Sequence, residues 1–430
     1  MEPYDLVGVG FGPSNISVAI AADESDADVR VAFFDRKTSF SWHPGLMFAG
    51  AEMQVSFTKD LITMRNPRSR YSFLNYLAEN GRLGKFINLR TFYPTRVEFN
   101  DYYAWVADQF ADSVEWGTEV VSVTPAADAD SAEGSVDLLR VRLRDVATGH
   151  ERDVLTRNLV LAPGGETSVP SGVSVGRRVF HAAETLPRLE ADFPELSAPY
   201  HFNIAGAGQT AADVFLYLRR TYPNARITHC IRGFAIRPED DTHFVNEFFL
   251  PEAPEWFYGR TPEFRSTVLE DYRLAAHTGV SYDLIPQIYR EHYEEQVCGG
   301  GRLQTHRFTE LVEAGETEDR AKARYRQLDT GEELSLDADA LILATGYRYT
   351  MPIAMLEGVQ EYLKMDTPDQ YAVRRSYDIE SSAEFRPRVF LQGYAEASHG
   401  FSEVLLSLMP FRAAEIVAAV GSERRPAGTR

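Results

Sequence analysis

The sequence predicts an α/β protein made of two Rossmann-like units, one inserted into the other, with a small helical subdomain beside them. Three observations carry this. At 430 residues the chain is too long for one ordinary core. The order strand, glycine turn, helix, strand occurs at 4–36 and returns at 201–232. Two apolar strands ending in glycine turns, "RNLVLAPGGETSVPS" and "DADALILATGYRYTMP", flank the second occurrence and mark where the backbone passes between units.

Taken in order, "YDLVGVG" is a strand, "FGPSNISVAIAADE" a turn and helix, and "VRVAFFDR" the next strand. Aromatic and apolar residues Phe99, Tyr102, Tyr103, Val106 and Phe110 recur at helical spacing and are expected in the core. Segment 125–152 places "VDLLRVRLR" between the polar stretches "ADADSAEG" and "RDVATGHERD", a hairpin with exposed turns. The second unit repeats the first: "HFNIAGAG", then the amphipathic helix "QTAADVFLYLRRTY" with Ala211, Val214, Phe215 and Leu218 on one face, then "ARITHCIRG". The stretch from "RPEDDTHFVNEFF" to "EHYEEQV" lacks strand alternation and reads as several short helices. The boundaries expected are 1–165 with 341–430 for the first domain, 166–236 with 296–340 for the second, and 237–295 for the helical subdomain.

The hydrophobic share of 44% and charged share of 25% are those of a soluble globular protein. No apolar run approaches the roughly 18 residues of a membrane span, and "MEPYDLVGVG" has no basic leader, so a cytoplasmic protein without a membrane partner is expected. A net charge of -19 disfavours nucleic acid and anionic lipid, and is compatible with drawing in a small cation. Cys230 and Cys298 form no CxxC pair, which leaves no dithiol of the usual redox spacing. The histidines show no metal-ligand pattern, and no GxSxG elbow occurs.

Gly8, Gly10 and Gly12 let backbone N–H groups at a helix N-terminus approach a pyrophosphate, with Pro13 in place of a last glycine. Asp35 closes the next strand, where a carboxylate can accept hydrogen bonds from a ribose diol. Gly206, Gly208 and Ala211 repeat the fingerprint, but the strand after them ends at Arg232, a cation suited to the 2′-phosphate of NADPH. An exposed arginine without a ligand is the plainer reading of that position. Two such units imply two nucleotides face to face. A flavin and a nicotinamide are the pair that makes chemical sense, and FAD with NADPH is the expectation. Without a dithiol to reduce, oxygen is the expected electron acceptor.

The runs "MQVSFTKDLITMRNPRSRYSFLNYL", "FINLRTFYPTRVEFNDYYAWV", "RPEDDTHFVNEFF", "ATGY" and "HGFSEVLLSLMPFRAAEI" closely resemble the flavin-dependent N-hydroxylating monooxygenases, the ornithine, lysine and diamine enzymes of siderophore biosynthesis. The resemblance runs nearly end to end. It implies FAD, NADPH and O₂, transfer of oxygen from a flavin C4a-hydroperoxide to a terminal primary amine, and a homo-oligomer, dimer or tetramer. By the same resemblance Gln54 lies close to the isoalloxazine, and Gln54 and Asn246 are catalytic. Lys59, Asn246 and Ser407 touch substrate, and Ser407 and Leu406 lie in a stretch lining the site. Cofactor contacts are implied at Trp42, His43, Gln209, Thr210, Thr278, Ala344, Thr345 and Gly346. Read without the family, Lys59 is as well an exposed charge, and Asn246 a cap on a neighbouring segment.

One stretch departs from the family pattern. Where ornithine-specific relatives carry Asn-Tyr-Ser, this chain has Ala276, His277 and Thr278, and an alanine cannot hydrogen-bond a head group through its side chain. Yet "INLRTFYPTRVEFNDY" is closer to the ornithine branch. The substrate is thus ornithine bound differently, or a relative such as lysine, putrescine, cadaverine or histamine. Other flavoprotein monooxygenases, oxidising sulfur or acting beside a ketone, and a non-catalytic flavin-binding protein are the alternatives.

Overall fold

A computed structural model describes residues 2–126 and 134–422. Most of the polar stretch "ADADSAEG" lies outside them.

The strand Tyr4–Val9 is buried on both faces, as parallel-sheet strands covered by helices are. It pairs in parallel with Val31–Asp35 on one side and with the last part of Glu151–Leu161 on the other. Val114–Trp116 and Arg388–Leu391 extend this parallel array. The first part of Glu151–Leu161 turns to another use, pairing antiparallel with Leu138–Asp145, which pairs in turn with Thr118–Ala126. The expected hairpin is therefore one edge of the first sheet. Helix Pro13–Asp23 packs between this sheet and helix Met409–Ser422, burying Ile16, Ile20, Ala413, Ile416 and Val417 together. Phe99, Tyr102, Tyr103, Val106 and Phe110 are core residues, as their spacing predicts.

The second sheet is parallel throughout, in the order Leu303–His306, Arg226–Cys230, His201–Ala205, Ala340–Leu343, Val179–His181. A three-stranded antiparallel layer, Thr309–Glu316, Ala321–Gln327 and Glu333–Ala338, lies on it. Both expected α/β units are thus present and one interrupts the other, the second carrying helices on one face of its sheet and the antiparallel layer on the other. The boundary is displaced, however. Ala340–Leu343 had been placed largely in the first domain, yet it is an inner strand of the second sheet, and its four residues are all buried there. The chain crosses back after it, where Tyr347–Arg348 pairs antiparallel with Glu166–Thr167. Both crossings thus run side by side.

Segment 237–295 holds the helices Ala253–Tyr258, Pro262–Asp271 and Leu284–Cys298. They do not form one subdomain. The last supplies Leu284, Ile285 and Ile288 to the core of the second unit, and continues past 295. The first two share an apolar cluster, Phe257 and Val268 with Phe249, Ala275 and Phe401, that joins them to the C-terminal segment.

Candidate active site

In the first turn Gly10 has φ +79°, and a Cβ on it would lie 2.6 Å from the Ala162 carbonyl oxygen, so only glycine suits the position. Gly12 caps helix Pro13–Asp23 without a side-chain cap, and a Cβ there would meet nothing within 4 Å. The result is open space in front of a helix N-terminus, the cradle a diphosphate requires. Asp35 lies behind it. Its Oδ2 accepts from Phe11 N at 2.8 Å and its Oδ1 from Lys37 N at 2.9 Å, so the carboxylate holds the turn's shape.

The second turn is built alike. Gly206, at φ +141°, packs against the Ala344 carbonyl, and Gly208 caps helix Gln209–Thr221 with only the Thr278 backbone near, at 3.7 Å. Gln209 accepts from Ser281 N at 2.9 Å, which fixes the stretch carrying Thr278 beside the turn. Arg232 is 78% exposed and reaches Glu310 only at 3.8 Å, which leaves its guanidinium open to a ligand from solvent. The backbone of Ala344 thus belongs to the second turn. Thr345 donates to the Ser168 carbonyl and Gly346 O is bonded to His181 Nε2 at 3.0 Å, so these two tie down the crossing between units.

A third locus lies between the two units. Gln54 Nε2 donates to Glu239 Oε2 at 2.7 Å, which joins the loop "MQVSFTKD" to "RPEDD". Lys59 stands with its Nζ 5.2 Å from the Phe249 ring centre. Burial pulls its ammonium below the usual lysine range, with Glu239 opposing. Burial pushes the Glu239 carboxyl up to about 7, reinforced by Asp241 and opposed by Gln54 and Lys59. The neighbouring Asp60 is fully buried and structural. It accepts from the backbone of Ile62, Thr63 and Phe73 at 2.9, 2.6 and 2.8 Å, and so shapes the loop that presents Lys59. Lys59 is therefore not the exposed charge that its residue type alone allows.

Asn246 sits in the 3-10 turn Val245–Phe249, and its Nδ2 donates to the Asp241 carbonyl at 2.6 Å. The capping reading thus describes its nitrogen, while the amide oxygen has no partner among the described residues. Ser407 is buried and Leu406 packs on the first core, beside Met409, whose sulfur accepts from Ser14 Oγ at 3.5 Å in the first helix. Trp42 packs edge-on against Tyr103, and His43 Nδ1 meets the Tyr347 hydroxyl at 3.1 Å. Burial, with Lys37 and Arg96 near, holds His43 down at about 4 and hence neutral. Thr210 lies in the first turn of helix Gln209–Thr221.

A buried polar chain escaped the sequence. Asn15 donates to the Gly10 carbonyl at 2.7 Å and accepts from Gln392 Nε2 at 2.9 Å; Gln392 accepts from Arg412 Nε at 3.1 Å. Arg412 then pairs with Glu403, whose other oxygen accepts from Gly393 N at 2.6 Å. The first glycine turn is thereby fastened to the segment carrying Ser407. Glu239 was missed as well, because "PEDD" reads as a solvated acidic run.

Residues 2–349 match the family described as L-lysine 6-monooxygenase/L-ornithine 5-monooxygenase. The chain belongs to that family. It is 37% identical over 98% of its length to the L-ornithine N(5)-monooxygenase of Pseudomonas aeruginosa, covering 95% of that protein. It is 40% identical to that of Burkholderia cepacia, over 92% of this chain and 90% of that one. Among solved structures, the ornithine N-hydroxylase of Kutzneria sp. 744, described with reduced FAD, NADP+ and L-ornithine, superposes with a TM-score of 0.93 at 32% identity, covering 99% of this chain and all of that one. The cadaverine monooxygenase of Erwinia amylovora, described bound to FAD, gives 0.86 at 26%, over 98% and 95% of the two chains. The resemblance carried by "KDLITMRNP" and "FVNEFF" is thus borne out, and with it the assignment as a flavin N-hydroxylating monooxygenase.

Proposed function

We infer that this chain converts the terminal amine of L-ornithine to the hydroxylamine with FAD, NADPH and O₂, in siderophore or related biosynthesis. The observation that carries it is the convergence of Gln54, Lys59, Glu239 and Phe249, half-buried or buried side chains brought together from distant loops. The ornithine enzymes with which the chain aligns end to end support it.

When bound, the flavin supplies reductive activation of O₂ at the expense of NADPH. The protein's part is to hold and exclude. N–H groups at the start of helix Pro13–Asp23 hold one diphosphate, and those at the start of Gln209–Thr221 the other. Arg232 reads the 2′-phosphate. Lys59 takes the substrate carboxylate, and Asn246 contributes its amide oxygen. The reacting nitrogen needs its lone pair, and an aliphatic amine has a pKa of about 10.4 in water. The apolar surroundings that Phe249 gives Lys59 would lower that value by the same desolvation. They also keep water from the oxygen-transferring atom.

One observation favours a second reading, a diamine such as putrescine or cadaverine. Ala276 packs against the apolar cluster that holds Phe249 and Phe401, and its side chain has no atom that could hydrogen-bond a head group. Assembly as a dimer or tetramer belongs to the same proposal. Purified holoenzyme given NADPH and O₂ should form hydroxylamine with ornithine or one of these diamines; NADPH consumed at one rate whatever the amine, with no hydroxylamine formed, would refute it.

A further inference from the structure

An acid and an amine, Glu239 and Lys59, lie near each other without meeting. Glu239 spends Oε2 on Gln54, and neither its Oε1 nor Lys59 Nζ has a hydrogen-bond partner among the described residues. They are near enough for each to shift the other's protonation, yet they form no ion pair. Burial disfavours the charged form of each, and a partner of opposite charge restores it. A ligand that carries both charges satisfies both residues.

The Glu239 backbone is fixed where that ligand's head would lie. Its N–H donates to Val280 O at 3.0 Å, Pro238 forms a parallel bridge with Val280, and a Cβ on Gly279 would lie 2.5 Å from Glu239 Cα. Any larger residue at 279 would displace the Glu239 backbone. Ala276, a few residues back on the same stretch, offers no polar side-chain atom, and Glu239 is the carboxyl whose charge reaches Lys59.

We propose that Glu239 is the specificity-determining residue of the site, pairing through Oε1 with a second, non-reacting ammonium group of the substrate. This rests on the amine-hydroxylating reading above and narrows its substrate class. The enzyme takes primary amines that bear another cationic nitrogen, as ornithine, putrescine and cadaverine do, whether or not a carboxylate is present for Lys59. Amines with a carboxylate alone at the far end are excluded.

The test uses FAD-loaded protein with NADP+, titrated calorimetrically with ornithine, putrescine and 5-aminovalerate, the last keeping the reacting amine and the carboxylate but lacking the second ammonium. Wild type should bind ornithine more tightly than 5-aminovalerate. Glu239→Gln should weaken ornithine and putrescine about tenfold or more, while 5-aminovalerate changes by about twofold or less. Glu239→Asp, which keeps the charge, should recover part of the loss. Equal weakening of all three ligands, no weakening, or a wild type that does not prefer ornithine overturns the proposal, and that last comparison stands even should both variants misfold. Ornithine hydroxylated by wild type while discrimination survives in Glu239→Gln refutes this inference alone. A wild type that hydroxylates none of the amines refutes the function beneath it, and this inference with it.

Discussion

Arg96 and Asp213 form an ion pair of 2.7 Å across the two nucleotide-binding units, with side chains only 14% and 5% exposed. Arg96 opens helix Arg96–Asp108 of the first unit, and Asp213 lies in helix Gln209–Thr221 of the second, one turn beyond Gln209, whose amide also donates to it at 3.3 Å. Removing one member leaves a buried charge alone, and such losses cost about 3–5 kcal/mol. Asp213→Ala should therefore lower stability to denaturant by about 3 kcal/mol and weaken NADPH. A loss below about 1 kcal/mol would show that the pair is solvated in solution.

The buried chain from Gly10 to Glu403 gives a second expectation. Gln392→Leu strands Asn15 Oδ1 and Arg412 Nε, both in protein interior. Each unpaired buried group costs about 1–3 kcal/mol. Because Asn15 carries the Gly10 carbonyl, the variant should also purify with less FAD. Full FAD content at unchanged melting temperature would show the chain to be idle.

Arg232 stands free enough to read a phosphate. Arg232→Ala should raise the Kd for NADPH about tenfold or more and leave NADH nearly unchanged. Inhibition by 2′-phosphorylated and plain adenosine diphosphate fragments measures the same difference without catalysis. Equal weakening of the two would assign the guanidinium to Glu310 alone.

Glu239 makes stability depend on pH in a defined direction. Its folded pKa, about 7, lies above the ordinary carboxylate value, so its protonated form is favoured in the fold. The stability this adds is fully present below about pH 4.5 and is lost as pH rises through about 7. Lys59 and Gln54 oppose the shift; Asp241 adds to it, and Tyr93 lies within reach of the same field. Wild type compared with Glu239→Gln should lose on the order of 2 kcal/mol between pH 5 and pH 8. A difference that stays flat over that range would mean that the carboxyl titrates as in water.

How much of this was legible beforehand depends on how far each residue's partner lies along the chain. The two glycine turns are local devices, and their meaning is complete within "GVGFG" and "GAGQT". Lys59 and Asn246 could be singled out only by resemblance, since one letter does not say which loop will cover it. Glu239 reads as one more acid in a charged run, and only the proline before it and the aromatic turn after it set it apart locally. The expected boundary cuts the strand after Ala340 because an apolar strand carries no mark of which sheet receives it, and the glycine turn after it looks the same in either. Gln392, Glu403 and Arg412 act on Asn15 from the far end of the chain, and no periodicity joins them.

The most direct measurement is the origin of the oxygen. Holoenzyme turning over NADPH and ornithine, or putrescine should that be the better substrate, under ¹⁸O₂ should yield a hydroxylamine carrying one heavy oxygen on the terminal nitrogen. Product with ordinary oxygen from water, or hydrogen peroxide with no hydroxylated amine, would contradict the account.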